Sequence, residues 1–247
     1  MGTTLLFCII ATDNIRADGF KPPRFTEIEQ NLIETLKIAP MSERVKAIEI
    51  CGINGYIPCY YTLISLLKDE EPIIRKKSTI SLGLIRNLNA IPYIEKAMEI
   101  EKDESVQIDL IRSLVLFQNI ESTKIAEKYL SNDSEKVRFA SAKVLCSIVN
   151  ESLYDKIMER MKSESSDSVK VMLLHAALKI KQTSGNITEL VRYFYSTNRI
   201  VRLYAAKAAA DLKIKESLLS LRKAVILEDD MEVREEFHRA YNATYLK

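Results

Sequence analysis

No charge of one sign dominates this chain: 36 basic and 34 acidic residues leave a formal net charge of +2. A protein that lives by phosphate contacts carries a clear basic excess, so nucleic acid is disfavoured as a partner. Glycine and proline are scarce, six of each, and no low-complexity tract occurs. That is the composition of a helical chain with short turns. Apolar runs are short as well. Beyond the first residues nothing approaches the roughly 20 apolar residues of a membrane span, so no transmembrane segment is expected. Four cysteines, Cys8, Cys51, Cys59 and Cys146, form no C-x-x-C pair and no disulfide-dense pattern. Cys51 and Cys146 fall on apolar helical faces, where a free thiol acts as a small hydrophobe. A Cys51–Cys59 bridge across one turn is the lesser alternative and matters only in an exported chain. What is plentiful is apolar material, 47% of residues, enough for a full core in one large or two ordinary domains.

Residues 1–17 differ from the rest. The run Leu5 to Ala11, LLFCIIA, followed by polar TDNIRAD, resembles the core and tail of a secretory signal peptide. Against that, no Lys or Arg precedes the run, and Ile9 or Ile15 stands three positions before a cut after Ala11 or Ala17. Export to a periplasm or envelope is the favoured expectation, with a cytoplasmic chain bearing a terminal tail as the alternative. Bulky Phe7 before Cys8 argues against a lipoprotein site, and Leu6 against myristoylation at Gly2. Residues 18–25, with Lys21-Pro-Pro-Arg24, read as a stiff linker. Over 26–39, Thr26 and Glu29 form a capping box, and Ile28, Leu32, Ile33 and Leu36 succeed them at helical spacing. That single amphipathic helix is placed to cover one end of a helical stack.

From residue 40 to 247 one pattern recurs. A residue near the start of a helix anchors it: Arg44, Arg75, Gln107, Arg138, Lys170, Arg202 and Arg234, at intervals of 31, 32, 31, 32, 32 and 32. So regular a period signals a repeat architecture. The residue before each anchor is Glu43, Ile74, Val106, Val137, Val169, Val201 and Val233. Three positions after the anchor stand Ala47, Ser78, Leu110, Ser141, Leu173, Ala205 and Phe237. Seven after it stand Cys51, Leu82, Leu114, Leu145, Ala177, Ala209 and Tyr241. These offsets share one helical face, the expected buried seam. Asp103, Ser166, Asn198 and Asp230 stand four residues before an anchor, where an N-cap belongs. Within Asp69 to Asp103, Pro72 suits the first turn of a first helix, Gly83 its end, and Pro92 the first turn of a second helix.

Ile74-Arg75 with Leu82-Gly83 and Ala90-Ile91-Pro92, and Val201-Arg202 with Ala205-Ala206 and Ala208-Ala209, resemble the HEAT repeat family, more narrowly the short HEAT-like repeats of phycobilin lyases. The resemblance runs from about Pro40 to Tyr241. It implies an all-α fold, a right-handed α-solenoid or superhelix of about six helix pairs, with a short terminal cap bearing Glu235, Glu236 and Arg239. For function, the long pre-formed groove of such a stack, with no catalytic constellation in the chain, points to a non-enzymatic scaffold or adaptor that binds a protein or peptide partner along its concave face. A phycobilin-lyase-like or chaperone-type activity on a small ligand or protein is the alternative, so lyase-type chemistry is left open. HEAT-like deoxyhypusine hydroxylases hold iron with His-Glu pairs, whereas here Ala176 follows His175 and Arg239 follows His238. HEAT-like alkylpurine DNA glycosylases use aromatic residues including Trp, and this chain has no Trp and no basic excess.

No catalytic, cofactor or metal constellation emerges. His175 and His238, two repeats apart, sit roughly 20 Å from each other at helix spacings of about 10 Å, too far to share a metal, and read as surface or edge residues. Gly52 and Gly55 lack a following Lys-Ser or Lys-Thr and read as turn glycines. The N-x-S/T sequons at Asn132, Asn150, Asn186 and Asn242 fall near helix boundaries and read as turn or cap residues. The anchor cations read as an internal ladder with polar or acidic residues at helix starts, such as Asp133, Asp167 and Asp230, rather than as a binding stripe. The partner-binding candidates lie on the outer face of the second helices, which in the HEAT family lines the concave surface: Tyr93, Lys96, Lys124, Glu127, Lys156, Glu159, Glu189 and Arg192. Mixed charge with an occasional Tyr suits a protein partner.

Overall fold

The computed structural model describes residues 27–246, which are helical with short connections and contain no strand. The leader expected at 1–17, the linker at 18–25 and the Thr26 half of the capping box lie outside the described residues. Helix α1 (Glu27–Ile38) comes first and packs on α2. Six pairs come after it: α2 (Met41–Ile53) with α3 (Tyr60–Leu66), α4 (Pro72–Ile85) with α5 (Ile91–Ile100), and α6 (Glu104–Ser113) with α7 (Ile120–Lys128). Then come α8 (Glu135–Ser147) with α9 (Tyr154–Ser163), α10 (Asp167–Ile180) with α11 (Ser184–Tyr193), and α12 (Arg199–Leu212) with α13 (Leu218–Leu227). The last helix, α14 (Met231–Tyr245), has no second helix after it. This is the all-α solenoid that the 31- to 32-residue period predicts.

The first helices form the spine. Each packs against the first helix of the next repeat, and each second helix packs on the first helix that comes after it, while successive second helices touch only sparsely. The seam is where the offsets put it: Ile74, Val106, Val137, Val169, Val201 and Val233 are fully buried, as are Ser78, Ser141, Leu173, Ala205 and Phe237. Only the ends depart, with Glu43 exposed and Tyr241 half-buried. Helix α10 is buried nearly all round and is shared by two apolar clusters. Val169, Met172 and Leu173 join the one that begins at Leu36, and Val171, Leu174 and Leu178 the one that ends at Ala240.

The expected N-caps are in place. Asp103 accepts the Ser105 and Val106 amides, Ser166 the Val169 amide, Asn198 the Ile200 amide and Asp230 the Val233 amide. Two glycines have a different job from the one expected. Gly52 lies inside α2, not in a turn, and a Cβ there would meet the Ser81 Cα at 2.7 Å. Gly83 likewise lies inside α4 against Leu116, and that helix ends three residues later at Arg86 in the left-handed region, φ 57°. Of the pair read as turn glycines only Gly55, φ 64°, is one. The thiol expected to be free at Cys51 is joined in a disulfide to Cys59, with Cα atoms 6.1 Å apart, and among the described residues Cys146 is the free, buried thiol. Asn150 and Asn186 are buried, and their side chains bond Thr123 and Tyr154.

Two glycine substitutions should therefore have opposite signs. Gly52→Ala forces α2 and α4 apart and should cost ~1–3 kcal/mol. Gly185→Ala, in the first turn of α11 with nothing within 4 Å of its Cβ, should stabilise by ~0.4–1 kcal/mol. Thermal melts followed by circular dichroism check both, and a raised melting temperature for Gly52→Ala would contradict the close approach.

Candidate functional site

Two sets of polar residues were candidates for surface chemistry, the anchor cations and the second-helix face. The anchors are used internally. Arg138 Nε and Nη2 donate to the two oxygens of Glu164 at 2.9 Å each, and its Nη1 donates to the carbonyls of Asn132 and Asp133 at 2.9 and 2.8 Å. Arg75 repeats this with Glu101 (2.7 and 2.9 Å) and the Asp69 and Glu70 carbonyls. Arg202 repeats it with Glu228 (2.6 and 2.9 Å) and the Ser196 and Thr197 carbonyls. Each guanidinium thus ties the loop before its repeat to the loop after it.

The partners differ from those expected. They are glutamates 26 residues on, at the C-caps of α5, α9 and α13, and not Asp133 or Asp230. Asp133 contributes only its carbonyl, and Asp230 pairs with Arg199. Lys170 does meet Asp167, at 3.5 Å. Gln107 and Arg234 donate to the carbonyls of Glu101 and Glu228, so the next anchor also grips the clamp. Arg44 bonds the Leu36 carbonyl and pairs with Asp69. The sequence carried one signal for this: Glu at the same distance from Arg75, Arg138 and Arg202.

Burial alone would raise the Glu164 carboxyl pKa, but Arg138, the Ser166 amide and Arg160 outweigh it and hold the group below the usual carboxylate range. Glu101 and Glu228 are lowered in the same balance by Arg75 and Arg202.

The second-helix face is open. Tyr93 and Lys96 stand on α5, Lys124 on α7, Lys156 and Glu159 on α9 and Arg192 on α11, all exposed or half-exposed, with Glu127 and Glu189 half-buried. Lys156 and Glu127 meet at 3.2 Å across neighbouring second helices, and Arg192 meets Glu189 at 2.8 Å within one. Lys124 pairs instead with Glu121, at 2.7 Å, while Tyr93, Lys96 and Glu159 join none of these pairs. A pair not foreseen, Glu95 with Lys128, links α5 to α7. Because successive second helices stand apart, open grooves run between them. One of about 410 Å³ lies between α5 and α7, lined by Leu88, Ile91, Pro92, Glu95, Glu121, Lys124, Ile125 and Lys128. Another of about 500 Å³ lies between α11 and the α13 region, lined by Ile187, Val191, Glu216 and Ser220 among others.

Among the described residues no group of three or more His, Cys, Asp or Glu could hold a metal ion. His238 is exposed as expected, but His175 is buried, with Nε2 2.9 Å from Asp211 Oδ2. Desolvation depresses its pKa despite Asp211. No described helix is long and apolar enough to cross a membrane.

No protein-family model matches the chain, and no curated protein does. Solved structures do. The complex of CpcE and CpcF of phycocyanin lyase from Nostoc is similar at TM-score 0.59 and 15% identity, over 93% of this chain and 98% of that one. The N-terminal domain of Mot1 in complex with TBP is similar at 0.58 and 14%, over 96% of this chain and 38% of that one. The Escherichia coli protein YibA is similar at 0.52 and 15%, over 92% and 100%. Likeness at such identities establishes the fold alone, a HEAT-like α-solenoid.

The clamps give stability a defined pH dependence. Because the folded carboxyl pKa values lie below the unfolded ones, the stabilisation is fully present above the unfolded Glu pKa of about 4.3 and is lost as pH falls through the folded values. Glu164→Gln should cost ~3 kcal/mol at pH 7, because it leaves the Arg138 charge buried without its counter-charge. It should also flatten the fall in melting temperature on acidification, and an unchanged acid slope would contradict the clamp.

Proposed function

We propose that the chain is a non-enzymatic scaffold or adaptor that binds a protein or peptide along its row of second helices. The observation that carries this reading is the second-helix face itself, which combines pre-formed open grooves, one lined by Glu95, Glu121, Lys124 and Lys128, with exposed Tyr93, Lys96, Lys156, Glu159 and Arg192. A rigid, ready-made surface costs little ordering entropy when it binds, and alternating charge sets register on a partner. Two of the similar structures are protein complexes, which agrees with this use of the fold. Near-balanced charge disfavours nucleic acid. The Cys51–Cys59 disulfide supports export, since such bonds persist in oxidising compartments.

Charge reversal tests the binding face. A partner captured from native cells by the wild-type chain should bind at least ~10-fold more weakly to a variant with Lys96, Lys124, Lys156 and Arg192 all changed to Glu. Equal retention by both proteins would overturn this reading. The lyase- or chaperone-type alternative predicts instead a spectral change on titration with a bilin. Export predicts that protein recovered from the cell envelope yields a Cys51–Cys59 linked peptide under non-reducing conditions, and free thiols at both positions would contradict it.

A further inference from the structure

The first helices carry a second surface that the scaffold reading does not use. A cavity of about 300 Å³ opens between α8, α10 and α12. Its centre is Tyr204, held edge-on against Phe139 with ring centroids 5.0 Å apart. Lys143 from α8 and Lys207 from α12 both reach over this ring, their ammonium groups 5.9 and 5.4 Å from its centroid. Neither has an ion-pair partner among the described residues. Elsewhere along the first helices lysines find carboxylates on a neighbouring repeat: Lys77 meets Glu49 at 2.5 Å and Lys76 meets Asp109 at 3.4 Å. In this cavity the only carboxylate, Asp211, is already taken by Lys179 at 2.8 Å and His175 at 2.9 Å.

Three ammonium groups therefore face one carboxylate, and two positive charges are left uncompensated around an aromatic ring. Buried His175 adds none, because desolvation holds its pKa below the ordinary value. Both ammonium groups line the cavity without a carboxylate of their own, and a dianion bound there would supply the counter-charge through charge-assisted hydrogen bonds. A phosphate monoester is mostly dianionic at neutral pH, with a second pKa near 6. We propose that this pocket binds the phosphate group of a small ligand, with Lys143 and Lys207 as its cationic clamp and Tyr204 as an aromatic wall beside it.

Isothermal titration of the full chain with inorganic phosphate and with phenyl phosphate, at constant ionic strength, tests this. Saturable one-to-one binding is expected, weakened ~10-fold or more in Lys143→Gln/Lys207→Gln. Asp211→Asn, which removes the competing carboxylate, should tighten binding several-fold, a gain that misfolding cannot mimic. Tighter binding of phenyl phosphate assigns the site to an organic ester, and equal binding of the two probes to the free ion. Absence of saturation in the millimolar range, undiminished binding by the double lysine variant, or weaker binding by Asp211→Asn would overturn the proposal.

Discussion

A solenoid has no distant contacts to hold it, so each repeat depends on how firmly it meets its neighbours. Here much of that burden falls on one guanidinium–carboxylate geometry. Arg138 reaches back to two carbonyls in the loop before its repeat and forward to Glu164, which also accepts the Ser165 and Ser166 amides of the loop after it. Glu164 is fully buried, and a bare carboxylate there would be far too costly; five donors from Arg138, Arg160 and the backbone make it tolerable. The arrangement occurs in full at Arg75, Arg138 and Arg202, alternate repeats of the array. Gln107, after the first clamp, and Arg234, after the last, each support a clamp by bonding the glutamate's own carbonyl. Each clamp therefore spans the loops on both sides of its repeat, and at Glu101 and Glu228 the following anchor bonds the same residue.

The clamps leave the two rows of helices with different characters. First helices approach closely at Gly52 on Ser81 and Gly83 on Leu116, and at small seam residues such as Ala205 and Ala209. Second helices are held by the first helices that come after them and, at α5, α9 and α13, by the clamp glutamates at their C-termini, with only ion pairs such as Glu95–Lys128 and Glu127–Lys156 joining one to the next. The tight row supplies stability, and the loose row supplies grooves and open side chains. A binding surface on the loose row asks little change of the core.

The fold was legible because its determinants are local and periodic. The apolar residue before each anchor from Arg75 onward and the caps at Asp103, Ser166, Asn198 and Asp230 repeat at fixed spacing, and each lands where its offset says. What was not legible depends on contacts between repeats. Gly52 looked like punctuation because its sequence neighbours resemble a turn, while its reason, Ser81, lies in the next repeat. His175 looked like an edge residue because its partner Asp211 is 36 positions away. The clamp glutamates were visible only as a repeated distance from Arg75, Arg138 and Arg202. The site candidates could be placed on a helical face from spacing alone, but their pairing could not, because Lys124 chose Glu121 within its own helix while Lys156 chose Glu127 across a groove.

The position of the Tyr204 pocket gives it mechanical weight. Its walls come from α8, α10 and α12, and α10 is the helix shared by the two apolar clusters. In a nearly one-dimensional array each segment is held only by its neighbours, so a bond across a junction bears directly on how the two sides sit. An anion bridging Lys143 on one side to Lys207 on the other would tie three consecutive repeats across that junction. Whatever binds there would stabilise the array where its core is divided, and so would fix the relative placement of the second helices on either side. Ligand binding on the tight row would in that way bear on the geometry of the loose one without any contact between them.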